Sequence, residues 1–297
     1  MAPQPNAYLN ATTQCGLLAL NCKKRNEHLF KSRGFWFNSA FDCWGFVLLK
    51  IIRSLLVFAY LVITLIPAAT VLLLLSVFGR GGFIYWKIGV PYLSGVIEAA
   101  RIIGGVRYRV QGQEILSQLY ESGERVILCP KHQSMWETFF LPSIAPNPLS
   151  YVFKKELLWI PLFGWALYRL DMIYIDRSKR KEAWNKVADQ GVKLMDKGNW
   201  VIMFPEGTRT VPGVDPAYKT GATRLAVATG AKVVPIAITS GRCWPRASFA
   251  LTPGMIDVCI GEPIDSAGRN PDELMGDVKV WIEGKMRELD SEAYQKA

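Results

Sequence analysis

Histidine is nearly missing from this chain: 297 residues hold only His28 and His132. Imidazole is the side chain best suited to taking a proton near neutral pH, so candidates for such a base reduce to two. The six cysteines, at 15, 22, 43, 129, 243 and 259, include no CxxC pair and no histidine at a zinc-ligand spacing. That argues against a metal site and suits a reducing, cytosol-facing environment. No GxSxG elbow occurs, which counts against the usual lipase chemistry. Internal repeats and low-complexity tracts are absent as well. Acidic residues are in deficit: 25 Asp and Glu against 35 Lys and Arg leave a net charge of +10. Such a surplus suits an anionic partner, whether nucleic acid, a membrane surface or a phosphorylated substrate.

Apolar content points to the membrane among these. Ser54 to Phe78 is an uncharged stretch of 25 residues flanked by Arg53 and Arg80. Roughly 20 apolar residues cross a bilayer core, and the stretch starts too far in and runs too long for a secretory signal. Basic residues lie on both sides of it, so charge assigns no single direction. Pro67 falls in mid-stretch, where a kink or a re-entrant bend can form. Phe83 to Ile103 mixes Tyr85, Trp86, Lys87 and Tyr92 with apolar residues, the pattern of an interfacial helix. Residues 50–103 therefore read as membrane-embedded, either as a helical hairpin or as one span plus one surface helix. Residues 1–49 are mixed and partly polar, with no role that follows from the sequence. At this length, one α/β domain over 104–297 plus an appendage is the natural division.

Two short motifs carry the chemistry. In KHQSMWE, His132 precedes Glu137 by five positions, in a loop that follows the apolar run Val126 to Cys129 and Pro130. On a regular helix, residues five apart point about 140° away from each other. The pair can meet only if His132 lies in the loop or first turn and Glu137 one turn inside the helix, with Ser134 near its start. The plainer reading has His132 capping a helix and Glu137 facing water. In FPEGTR, Trp200 to Phe204 reads as a buried strand, and Pro205 to Arg209 as the turn at its carboxyl end, where α/β sheets bind ligands. Gly207 lets the backbone approach a ligand, Thr208 offers a hydroxyl, and Arg209 a planar fork for phosphate oxygens. Cys129 is either a nucleophile beside His132 or a small apolar residue in a buried strand.

Together, in this order and separation, the motifs resemble the glycerolipid acyltransferase family. Its first block maps onto His132, Ser134 and Glu137, and its second onto Tyr174-Ile175-Asp176-Arg177. FPEGTR is its third, and Val233 to Ile238 its fourth. FKKELLWIPLFGW, Phe153 to Trp165, is similar to the link between the first two and brings Lys155 near the site. The blocks run in order across residues 105–262. Two positions depart: Glu137 stands where aspartate is commoner, and Lys131 where asparagine often precedes the histidine.

The resemblance implies transfer of a fatty acyl group from acyl-CoA or acyl-ACP to the sn-2 hydroxyl of 1-acyl-sn-glycerol-3-phosphate (lysophosphatidic acid), giving phosphatidic acid. His132 would be the general base and Glu137 its orienting partner. Lys155 or a backbone amide would receive the developing oxyanion, and Arg177, Gly207, Thr208 and Arg209 would hold the phosphate. Glu206 would orient Arg209 or a substrate hydroxyl. No cofactor beyond the acyl co-substrate, no metal and no nucleic acid are implied, and the place is a bacterial inner membrane with the catalytic domain facing the cytoplasm. Other acceptors (another lysolipid, glycerol-3-phosphate, an amino-acid lipid), a hydrolase, and a non-catalytic lipid-binding membrane protein stay open.

The rest alternates strand and helix. Strands are expected near 106–110, 125–129, 151–153, 172–175, 200–204, 232–238 and 255–260, and helices near 113–121, 178–196, 222–229 and 271–292. That order predicts a mostly parallel sheet flanked by helices, with the membrane-embedded segment N-terminal to it.

Overall fold

The computed structural model describes residues 39–79, 81–176, 180–246 and 248–295. The chain divides into two compact units, residues 1–52 and 53–297. Within the second, seven strands form one sheet: β1 (Val106–Gln111), β2 (Val126–Pro130), β3 (Leu149–Lys154), β4 (Ile173–Ile175), β5 (Trp200–Ile202), β6 (Lys232–Ile238) and β7 (Gly254–Ile260). Their order across the sheet is β1-β7-β6-β2-β5-β3-β4. Every neighbouring pair is parallel except β6 with β7. The central strands read as unbroken apolar runs, VILCP in β2 and WVI in β5, and every residue in both is buried. Strands covered by helices on both faces need no polar face, which is why no alternation appears there.

Pro235 sits inside β6, an unusual place for a residue without an N–H. The antiparallel pairing with β7 begins one residue later, at Ile236 opposite Ile260, and Gly261 donates its amide to the Pro235 carbonyl at 2.9 Å. The missing donor therefore falls where the ladder with β7 has ended.

The longer helices flanking the sheet are α1 (Ser39–Leu75), α2 (Val90–Ile102), α3 (Gln113–Glu121), α4 (Trp136–Ile144), α5 (Phe163–Arg169), α6 (Arg180–Asp196), α7 (Gly221–Thr229) and α8 (Pro271–Leu289), followed by the short α9 (Ser291–Gln295); the helical turns Gly82–Ile84 and Tyr85–Gly89 lead into α2. One apolar cluster gathers around Trp136, Phe140, Leu128 and Val234, and a second around Ile127, Val233, Leu225, Val278 and Ile282.

Helix α1 runs through Pro67 without interruption, and Val47–Leu75 is long and apolar enough to cross a membrane. Ser54, Val57, Ala69 and Leu72 on it are buried, with Val57 in the first core cluster and the Ser54 hydroxyl accepting the Leu251 amide at 2.8 Å. Its other sides project Leu55 (63% exposed), Ile63 (70%) and Leu74 (65%) outward. A core helix of a water-soluble protein would bury such residues.

Residues on either side of position 103 share one core. Tyr85, Ile97 and Ala100 belong to the same core cluster as β2 and α4, so the segment read as an interfacial helix is in large part a core element. Its small residues let it lie close, as at Gly95, where a Cβ would come within 2.7 Å of the Tyr60 hydroxyl.

Candidate functional site

Strands β2, β5, β3 and β6 run parallel, so their carboxyl ends share one edge, and the two motifs leave from that edge. Lys131 to Met135 connect β2 to α4, and Glu137 lies in the first turn of α4. This is the loop-then-helix arrangement that lets residues five apart meet. His132 Nδ1 lies 3.7 Å from Glu137 Oε2, with the Glu137 side chain fully buried and the His132 side chain 16% exposed. That separation exceeds a hydrogen bond, and buried Nδ1 has no hydrogen-bond partner. Closing by about 0.8 Å would make the bond, and such tightening accompanies substrate binding in many enzymes. The imidazole stacks on Phe204, ring centroids 3.8 Å apart, which places Phe204 of the second motif directly against the first. With Nδ1 turned inward, Nε2 is the nitrogen left on the open side.

Glu137 does not face water. Its Oε1 accepts the amides of Gln133 (2.7 Å) and Ser134 (2.9 Å) and the hydroxyl of Ser240, and its Oε2 accepts the Ser134 amide at 3.0 Å. The carboxylate ties the loop into a turn and is itself tied to the end of β6. The His132 carbonyl accepts both the Thr210 amide (2.8 Å) and the Thr210 hydroxyl (3.1 Å), fastening the histidine to the segment after Arg209.

In the second motif, Gly207 takes φ +67 and donates its amide to the Phe204 carbonyl at 3.0 Å. A Cβ there would lie 2.7 Å from Lys219 Nζ, so the turn requires glycine and Lys219 lies across it. Thr208 is exposed and Arg209 half-buried, and Arg209 has no carboxylate partner among the described residues. The Arg209 carbonyl accepts a guanidinium N–H of Arg246 at 2.7 Å. Glu206 is placed otherwise than a residue orienting Arg209 would be. It is buried, accepts the His132 amide at 3.0 Å, and lies 3.7 Å from Lys131 Nζ. Burial pushes its pKa up to about 7, against the lowering by the His132 amide and Lys131.

Lys155 opens the 3₁₀ turn after β3, on the same edge, and its Nζ lies 3.5 Å from Asp176 Oδ2. Arg177 lies outside the described residues. The amides of residues 131 to 134 all have acceptors: Ile236 for Lys131, Glu206 for His132, and Glu137 for Gln133 and Ser134. Cys129 is fully buried in β2, and burial pushes its thiol far above the ordinary range, which removes it as a nucleophile. Among the described residues no group of three His, Cys, Asp or Glu could hold a metal ion.

Sequence reasoning missed Ser240, Thr210 and Lys219. Ser240 lies two residues past the apolar run of β6 at the carboxyl edge, a position that could have flagged it. Thr210 and Lys219 show no signal short of the turn geometry itself.

A family model described as "Acyltransferase" matches residues 107–239. A 1-acyl-sn-glycerol-3-phosphate acyltransferase of Pseudomonas aeruginosa is 42% identical over 196 residues, 65% of this chain and 74% of the relative. An Escherichia coli protein of the same name is 30% identical over 179 residues, 59% of this chain and 73% of the relative. A third so named, from Limnanthes douglasii, is 28% identical over 246 residues, 82% of this chain and 84% of the relative. The crystal structure of the 1-acyl-sn-glycerophosphate acyltransferase of Thermotoga maritima shares the fold, with a TM-score of 0.65 at 24% identity over 81% of this chain and 98% of that one.

Proposed function

This chain belongs to the glycerolipid acyltransferase family and is an O-acyltransferase, and from that premise we propose that it acylates the sn-2 hydroxyl of 1-acyl-sn-glycerol-3-phosphate from an acyl-CoA or acyl-ACP thioester, giving phosphatidic acid. The observation that carries the mechanism is the buried Glu137 carboxylate opposite Nδ1 of a stacked, part-exposed His132. His132 Nε2 takes the proton of the acceptor hydroxyl as its oxygen attacks the thioester carbonyl. Glu137 stabilises the imidazolium so formed, as a carboxylate partner does in acyl-transfer triads. The carbon–sulfur bond then breaks, and the leaving thiolate takes the proton back from the imidazolium. A thioester needs no protein nucleophile, and inert Cys129 agrees with that. The oxyanion finds a cation in Lys155. Arg209, with the Gly207–Thr208 turn and Arg177, holds the acceptor phosphate.

The acceptor is a lipid, and α1 supports a membrane-embedded enzyme. Residues Ser54 and Leu72, at opposite ends of its buried face, are about 27 Å apart along the helix, close to the thickness of a bilayer core. With the catalytic unit packed along that whole length, α1 sits better lengthwise in one leaflet, its exposed apolar sides in lipid, than as an isolated span. On this reading the enzyme works at the cytoplasmic side of a bacterial inner membrane, where thioester donors are made.

The test is direct. Full-length protein in detergent micelles is given labelled acyl-CoA or acyl-ACP with lysophosphatidic acid, glycerol-3-phosphate, another lysolipid or water, and products are separated by thin-layer chromatography. Labelled phosphatidic acid formed from lysophosphatidic acid is expected. Free fatty acid alone, or no turnover with any acceptor, would sink the reading.

A further inference from the structure

Lys131 is the residue the acyl-transfer mechanism leaves unused. It is fully buried, which lysine almost never is without a partner. Its Nζ lies 2.5 Å from Glu283 Oε1 on α8 and 3.7 Å from Glu206 Oε1 beside His132. Glu283 is well held: the Tyr218 hydroxyl donates to its Oε1 at 2.7 Å and the Tyr294 hydroxyl to its Oε2 at 2.9 Å. Lys131 also faces the Tyr218 ring, 5.7 Å from its centroid. Glu206 is held less well, since its Oε1 accepts the His132 amide while its buried Oε2 has no partner. One cation thus stands between two buried carboxylates, tight on the one that belongs to the C-terminal helix and looser on the one that touches the catalytic loop.

We propose that Lys131, held in place by Glu283, is a positioning residue that keeps Glu206 ionised, and that ionised Glu206 fixes the His132 backbone in its working pose. The proposal rests on reading His132 as the base. A hydrogen bond to an ionised acceptor is roughly twice as strong as a neutral one, so the charge of Glu206 decides how firmly the His132 amide is held. The groups facing Glu206 are Lys131 and the His132 amide from the loop after β2, Cys129 from β2, Glu137 from α4 and Tyr218 from the segment before α7. Lys131 is the cation in that set. Removing it favours the neutral acid and moves the titration of Glu206 upward. Removing the charge of Glu283 frees Lys131 for Glu206 and moves it downward.

The variants are K131M, E283Q and the double variant, all full-length in detergent; the glutamine introduced by E283Q still offers an oxygen to the two tyrosine hydroxyls. Glu206 is read directly as the protonated-carboxyl infrared band that E206Q lacks, followed against pH, beside the pH profile of kcat/KM. We expect the band and the acidic limb to move up by about one to three pH units in K131M, the usual effect of an opposite charge within a few ångströms. Both should move down in E283Q, and the double variant should fall between wild type and K131M. At a pH where the wild-type limb is already falling, a one-unit rise appears as a further loss of about tenfold in kcat/KM. Should K131M fail to fold, the downward shift in E283Q decides alone. Shifts of the same sign in both variants, or no shift in a folded E283Q, would overturn the proposal, because a merely structural pair would lower activity without moving either titration in opposite directions. Opposite infrared shifts in a protein without acyl transfer would uphold the Lys131–Glu206 link and sink the acyltransferase reading instead.

Discussion

Replacing Glu137 with glutamine separates the two tasks its carboxylate performs. One oxygen anchors the loop, taking the Gln133 and Ser134 amides and the Ser240 hydroxyl; the other shares the Ser134 amide at 3.0 Å and faces His132 Nδ1 at 3.7 Å. Glutamine fills the same volume but turns one acceptor into a donor. With its carbonyl toward the anchoring side, its NH₂ faces the imidazole, where it can neither accept a hydrogen bond from Nδ1–H nor balance an imidazolium. The flipped amide would set NH₂ against three donors, at about 1–3 kcal/mol for each buried group left unpaired, so the first pose wins. The fold then loses about 1 kcal/mol, a fall of about 2–4 °C in Tm. Catalysis loses far more. An opposite charge 3.7 Å from an imidazolium, at an effective dielectric of about 20, is worth about 4 kcal/mol as an upper figure, or a drop in kcat of about 10³-fold. Initial rates of labelled phosphatidic acid formation at saturating substrates measure it, with thermal melts alongside. A folded E137Q protein with kcat near wild type would refute the pairing. E137D keeps the charge but withdraws it by about 1.5 Å, one carbon–carbon bond, and should fall between the two.

His132→Ala should lower turnover by roughly 100-fold or more while the protein stays folded, since the ring is part-exposed and the loop is held through backbone groups; near-normal transfer by the folded variant would remove His132 as the base. Arg209→Ala should chiefly raise KM for the phosphorylated acceptor, and Arg209→Lys should restore it in part, because a point charge lacks the two-pronged fork; a change confined to donor affinity would mean the two substrates are placed the wrong way round. Membranes from expressing cells should keep the protein through washes in about 1 M salt, where the Debye length is near 3 Å, and through alkaline carbonate, and release it to detergent. Complete release by salt alone would leave a basic peripheral enzyme.

The architecture was legible where a strand is buried on both faces, because Val126–Cys129, Trp200–Ile202 and Val233–Ile238 are apolar without alternation and bounded by loop residues. The Glu137 position was legible for a geometric reason: five residues can close on each other only across a loop-to-helix start. Harder were elements whose burial is decided by partners far along the chain. Residues 83–103 carry the aromatics of an interfacial helix, yet Ile97 and Ala100 go to the core because α4 and β1 offer them a surface. The short α5 carried no apolar period long enough to read.

The catalytic loop shows the same limit at the level of single side chains. His132 and Glu137 announce themselves by spacing, but what makes the carboxylate a fixed partner is Ser240, 103 residues away, and what brackets Glu206 is a lysine paired 152 residues off. Sequence distance carries no period for such contacts. Lys131 stood out only as a departure from the family's pattern, a lysine where asparagine often precedes the histidine. Burial inverts its meaning: a lysine that must leave water is tolerable only where a carboxylate already waits, and Glu283 is that group. The exchange at 131 and the acid on α8 are therefore one feature, and a variant that removes the charge of Glu283 alone leaves a buried lysine whose remaining carboxylate is the glutamate holding the catalytic histidine.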